Sequence, residues 1–152
     1  MDRIQKYWQQ VMAIFCFTLI AACATQDRQQ ARYENPPPAS SNPSAYQVDF
    51  ETNSYDINSA GKRTIEYVAD RVRGDDSATV TVVGRTDTTG NSNYNTDLSE
   101  RRAYAVRDAL IATGTIAPNH VETKWTGQDR QAVGTYDDVA EPRNRVVDLY
   151  IH

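Results

Sequence analysis

Two cysteines and two histidines in a chain of 152 residues are too few for a zinc site built on several such ligands. They also exclude a disulfide-stapled scaffold. Positive charge is in deficit: 16 Lys and Arg stand against 20 Asp and Glu, for a formal net charge of -4 and a pI near 5.1. Without a dense local basic patch, that balance argues against a nucleic-acid binder held by counterion release. Apolar residues make up 39% and mean hydropathy is -0.65, which excludes a multi-span membrane protein. Beyond Cys23 there is no Ser-His-Asp or Cys-His set and no cluster with metal-ligand spacing. His120 and His152 read as surface residues, and neither an enzyme nor a cofactor or metal is expected. The length suggests one domain, and six prolines suggest that part of the chain is a linker.

The N-terminal residues read as export signal. Arg3 and Lys6 precede an apolar run of twelve residues from Val11 to Ala22, short of the ~20 that a spanning helix needs. The run ends in Ile20-Ala21-Ala22-Cys23, which resembles the lipobox of bacterial lipoproteins. That resemblance implies a signal peptide over residues 1–22 and a Cys23 acylated with palmitate-type chains as the first mature residue. Ala24, a non-Asp second residue, implies sorting to the outer membrane. The competing reading is a buried apolar helix that contains a Cys. Residues 23–45 then carry the lipidated Cys and a Gln-, Ser- and Asn-rich stretch with Pro36-Pro37-Pro38 and Pro43. This reads as a disordered or polyproline-like linker reaching up to about 65–70 Å when extended, either a tether of required length or a passive spacer.

From Tyr46 onward the pattern changes to that of a folded domain over residues 46–152. Gln47 to Glu51 alternates as a strand. Ser59 is placed to cap a helix carrying Ile65, Val68, Ala69 and Val72, ended by Gly74. Ala78 to Gly84 is a β-branched run, expected to be an inner strand. A polar loop from Arg85 to Asn93 leads to a second helix from Tyr94 to Thr113, closed by Gly114. Val121 to Thr126 reads as a third strand, residues 127–142 as loop or a short helical turn, and Arg145 to Ile151 as a last strand. The expected fold class is α/β (α+β): a sandwich of a mixed sheet with helices on one face. Tyr55, Tyr67 and Trp125 are expected to pack in its core, the other reading being a partner surface.

The second helix contains an anomaly. Leu98, Ala105, Val106, Ala109 and Leu110 form an apolar stripe, and Arg102 lies in its middle. A guanidinium there must be paired or must snorkel, because an unpaired buried charge is costly. Asn95 lies two turns earlier on the same face, and the loop bearing Asp87 ends just before the helix. Two readings stay open. One is a structural salt bridge from Asp87 to Arg102. The other is a site for a small zwitterion, whose carboxylate meets the planar fork of Arg102 and whose ammonium meets Asp87, with helix and loop amides adding positive potential.

The run Thr86-Asp87-Thr88-Thr89-Gly90, Tyr94-Asn95, Leu98-Ser99-Glu100-Arg101-Arg102-Ala103 and Val106 resembles the TDxxG, YN, LSxxRA signature of OmpA-like peptidoglycan-binding domains. Phe50 to Asn53, Gly127 and Asn144-Arg145 extend the match across residues 46–152. With the lipobox and linker, the chain resembles the Pal-type outer-membrane lipoproteins. The resemblance implies the OmpA-like C-terminal domain fold and noncovalent binding of peptidoglycan through the diaminopimelate of the stem peptide. It implies contacts from Asp87 and Arg102 to the ammonium and carboxylate, further contacts from Asn95 and Asn53, Thr88 in the ligand loop, and Asn144 near the site. Two departures stand out. Arg85 replaces a frequent His, as an exposed substitution or as an added cation tuning ligand or partner choice. Val146 replaces the second Arg of a closing Asn-Arg-Arg, which puts a cation there in doubt.

The expected function is therefore an outer-membrane lipoprotein facing the periplasm of a Gram-negative cell. Acylated Cys23 would hold the lipid, and the domain would hold the wall. The alternative is a lipoprotein of envelope signalling or secretion-machine assembly that uses the same wall-binding domain with a periplasmic protein partner.

Overall fold

The computed structural model describes residues 45–152. The expected signal peptide, Cys23 and the expected linker up to residue 44 lie outside the described residues. Four strands and two helices follow in the order β1 (Tyr46–Asp49), α1 (Ser59–Val72), β2 (Val80–Gly84), α2 (Ser92–Ala112), β3 (Val121–Trp125) and β4 (Val146–Ile151). Single 3-10 turns at Pro118–His120 and Pro142–Asn144 precede β3 and β4.

The sheet order is β1-β4-β2-β3. The last strand inserts between the first two, antiparallel to both, while β2 and β3 run parallel with α2 as their crossover. The mixed α/β sheet matches the expected fold class. As expected from its β-branched run, β2 is an inner strand, with both neighbours hydrogen-bonded to it.

Each helix buries one stripe at helical spacing. In α1 the stripe is Gly61, Thr64, Ile65, Val68, Ala69 and Val72. In α2 it is Asn95, Leu98, Ser99, Arg102, Ala103, Val106 and Leu110. Ala105 and Ala109, expected on that stripe, are half-buried at its margin. The α2 stripe is polar at its N-terminal half and apolar at its C-terminal half. Only the second half belongs to the core, where Ala103, Val106 and Leu110 meet Val80 and Val82 of β2 and Val147 and Leu149 of β4. The helix sits close to the sheet because β2 ends in glycine: a Cβ on Gly84 would lie 2.0 Å from the Ser99 carbonyl oxygen.

The cap of α1 corrects the sequence expectation. Asn58, not Ser59, is the N-cap, and its Oδ1 accepts from the Gly61 amide at 2.8 Å. Asn58→Ala is therefore expected to cost about 1 kcal/mol, and Ser59→Ala under about 0.5 kcal/mol. Urea melts of the two variants test this, and equal midpoints would contradict the assignment. α2 begins at Ser92, two residues earlier than expected, because Asn91 caps it through the Asn93 amide.

The aromatics expected in the core are not there. Tyr55, Tyr67 and Trp125 are 48%, 41% and 38% exposed. Trp125 tilts against Tyr104, and Tyr67 against Tyr46. The core is filled instead by Val, Leu, Ile and Ala with Phe50. Sequence pattern alone does not separate a ring lying on the domain surface from one under it.

Candidate functional site

The loop after β2 is fixed before it reaches the helix. Thr86 donates its amide to the Gly127 carbonyl at 2.9 Å. The Thr88 hydroxyl donates to the Tyr136 carbonyl at 2.7 Å and accepts from the Val139 amide at 3.0 Å. Asn95, on the first turn of α2, donates its side-chain amide to the carbonyls of Thr89 (3.1 Å) and Asp87 (3.4 Å) and to the side chain of Gln128 (2.7 Å). Gly90 turns the chain at φ +91, a conformation that glycine adopts without steric cost. Asp87 is thereby held almost fully buried, with its carboxylate at a defined place.

Arg102 is fully buried, and its partners differ from the salt bridge that spacing suggested. Nε donates to the Ser54 carbonyl at 2.8 Å, Nη2 to the Glu51 carbonyl at 2.9 Å and Nη1 to the Arg85 carbonyl at 3.1 Å. The guanidinium also lies over the Phe50 ring, 5.2 Å from its centroid. It thus pins the β1–α1 loop to the start of the β2–α2 loop. Burial pushes its pKa down to about 10, partly opposed by the nearby Asp87 charge.

The carboxylate of Asp87 is paired with Arg145 instead. Oδ2 accepts from Arg145 Nη1 at 3.1 Å and from the Glu141 amide at 3.3 Å. Arg145, the retained Arg of the Asn144-Arg145 pair, places a cation at the site despite the Val146 substitution. Its signal in the sequence was position alone, next to a motif Asn and just before the last strand.

Asp87, Arg102 and Arg145 face one cavity of about 390 Å³, with Asn95, Asn53 and Tyr94 around them. Asn53 sits at the lip with φ +55, and the Tyr94 hydroxyl donates to its Oδ1. Thr52, Thr89, Gly90 and Leu98 complete the wall. The structure thus brings four of the six candidate residues together: Asp87, Arg102, Asn95 and Asn53. Thr88 and Asn144 are not among the lining residues. Thr88 ties the loop at 135–139. Asn144 is fully buried and holds Val133 from both sides, accepting from its amide at 2.9 Å and donating to its carbonyl at 2.7 Å.

Arg85 is neither an exposed substitution nor a cavity cation. Its Nε donates to Asp148 Oδ2 at 2.8 Å on the sheet face away from the helices, and Gln47 donates to the other oxygen at 2.8 Å. A further hydrogen bond to the Arg130 carbonyl ties the 127–141 loop to the sheet.

The OmpA family model matches residues 49–145. The chain belongs to the OmpA family. Among similar family members, outer membrane protein A of Bordetella avium is 32% identical over 102 residues, 67% of this chain and 52% of its own. The peptidoglycan-associated lipoprotein of Pseudomonas aeruginosa is 32% identical over 100 residues, 66% of this chain and 58% of its own. The chain thus spans little more than half the length of these curated relatives. The crystal structure of the peptidoglycan-associated lipoprotein from Burkholderia pseudomallei matches with a TM-score of 0.64 at 26% identity, over 70% of this chain and 89% of that one. The four-stranded mixed sheet with two helices is thus an OmpA-like fold.

Proposed function

We propose that this chain is an outer-membrane lipoprotein that binds peptidoglycan noncovalently, holding the diaminopimelate of the stem peptide in the cavity at Asp87 and Arg102. The observation that carries this reading is one buried carboxylate and two guanidinium groups facing a single cavity, an arrangement suited to a zwitterion. The name of the Pseudomonas relative, a peptidoglycan-associated lipoprotein, supports the wall as the source of that zwitterion. In this reading Asp87 meets the ammonium and Arg102 the carboxylate. Asn95 and Asn53 shape the pocket, while Thr88 and Asn144 hold the loops that frame it.

Residues 1–22 would act as signal peptide, acylated Cys23 as outer-membrane anchor and residues 24–45 as tether, leaving 46–152 to reach the wall from the periplasmic side. Co-sedimentation of the full chain with purified diaminopimelate-type peptidoglycan tests the binding. A chain that stays in the supernatant over such walls while correctly folded would refute it. Cys23→Ser removes the thiol that forms the thioether, so the variant is expected to accumulate unprocessed and without fatty-acid label. Label persisting in that variant would place the anchor elsewhere.

A further inference from the structure

The three charges at the cavity are not equally satisfied. Asp87 already has an internal counter-ion, since Arg145 Nη1 reaches Oδ2 at 3.1 Å. Its Oδ1 accepts no hydrogen bond among the described residues and is not sealed from solvent. Among the described residues Arg102 has no carboxylate partner: its three hydrogen bonds go to the neutral carbonyls of Ser54, Arg85 and Glu51. A guanidinium has five N–H donors; two of them make no hydrogen bond, and with the side chain fully buried the group acts on the cavity through its charge. Arg145 commits Nε to the Phe50 carbonyl and Nη1 to Asp87, leaving Nη2 available. The charged groups lining the cavity are Asp87, Arg102 and Arg145, an excess of one positive charge in a partly desolvated place. What the cavity lacks is an anion.

From this asymmetry we infer that the cavity selects its ligand by the carboxylate more strongly than by the ammonium, with Arg145 as the residue that sets this order. The inference rests on the wall-binding reading above and refines it. A ligand ammonium at Asp87 Oδ1 adds to a carboxylate that Arg145 already neutralises, so it contributes little. A ligand carboxylate facing the two guanidinium groups supplies the missing charge and takes a charge-assisted hydrogen bond from Arg145 Nη2. Without Arg145 the order changes. Asp87 then needs the ligand ammonium as its counter-ion, and the two ligand groups become comparably important. An amidated carboxyl end, cationic overall, would meet the excess positive charge and be rejected.

The test uses three small probes, each blocked as an N-acetyl, N-methylamide residue so that only the side-chain end is free. Diaminopimelate offers both groups, 2-aminopimelate the carboxylate only, and lysine the ammonium only. Calorimetric titration of the detergent-solubilised full chain is expected to rank diaminopimelate first. The 2-aminopimelate probe should follow within several-fold, with lysine weaker than 2-aminopimelate by on the order of tenfold or more. In Arg145→Gln the gap between the two single-group probes should close, and in Arg145→Lys it should persist. Lysine binding as tightly as 2-aminopimelate to the wild type, while diaminopimelate binds, overturns this inference and leaves the wall-binding reading standing. A folded Arg145→Gln variant that keeps the full gap overturns the role given to Arg145. Failure of all three probes to bind the folded wild type removes the wall-binding reading and this inference with it. The wild-type comparison needs no variant to fold.

Discussion

Replacing Arg102 with alanine is expected to lower the melting temperature by more than about 10 °C and to remove wall binding at the same time. The side chain is fully buried and donates to three carbonyls on two loops. Truncation removes the donor from the Ser54 and Arg85 carbonyls, leaves the Glu51 carbonyl only the Ser54 amide, and opens a void beside Phe50. Hydrogen bonds from a charged group contribute about 1.5–3 kcal/mol each. Part of that is offset by relief of the desolvation cost of the guanidinium, so a net loss of roughly 3 kcal/mol is expected, and at about 4–8 °C per kcal/mol in a domain of this size it gives the stated shift. Arg102→Lys keeps the charge but presents a point rather than a fork. It is expected to melt between the two, because one ammonium does not span the Ser54, Glu51 and Arg85 carbonyls. Thermal melts followed by circular dichroism check both variants. A wild-type melting temperature in the alanine variant would mean that these loops are held by something other than Arg102.

Asp87→Asn is expected to act on binding far more than on folding. The amide keeps an acceptor oxygen for the Glu141 amide and nearly the same shape, while the charge that faces Arg145 and the cavity disappears. Co-sedimentation with diaminopimelate-type peptidoglycan should weaken by about ten- to a hundredfold, corresponding to one lost charge-assisted interaction. Most of the loss comes through Arg145, which loses the counter-ion that holds it in place for the ligand carboxylate, and the smaller part through the ligand ammonium, which loses its partner. Their effects are not additive with those of Arg145 variants, since the two residues share a hydrogen bond. A folded Asp87→Asn variant that co-sediments as the wild type does would remove Asp87 from the ligand site.

Much of this fold is legible in local pattern. The β-branched run before Gly84 becomes the inner strand, because such side chains fit a pleated strand paired on both edges with one face in the core. Ile65, Val68, Ala69 and Val72 become the inner face of α1, because their spacing matches the helical period. The cap at Asn58 was missed because two adjacent residues, Asn58 and Ser59, both suit an N-cap and only backbone geometry chooses between them. Trp125, Tyr67 and Tyr55 were misassigned for a related reason. Ring size argues for burial, but the free edge strand β3 and the outer flanks of the helices offer surface on which a ring can rest half-covered.

By itself the sequence determined that Arg102 stands where an apolar residue belongs, and that Asp87, Asn95 and Arg102 fall within about three turns of one helix start. Those are consequences of periodicity and short separation, which need no long-range contact. It did not determine which charges pair. Arg145 lies 58 residues from Asp87 and reaches it only because β4 inserts between β1 and β2. Ser54 and Glu51 reach Arg102 only because the β1–α1 loop folds over the N-terminal half of α2. Those contacts depend on strand order and loop closure across the whole domain, and a carboxylate flanked by two arginines accepts either partner equally well on local chemistry. Tertiary structure alone gives Asp87 an internal counter-ion and leaves Arg102 with neutral carbonyls.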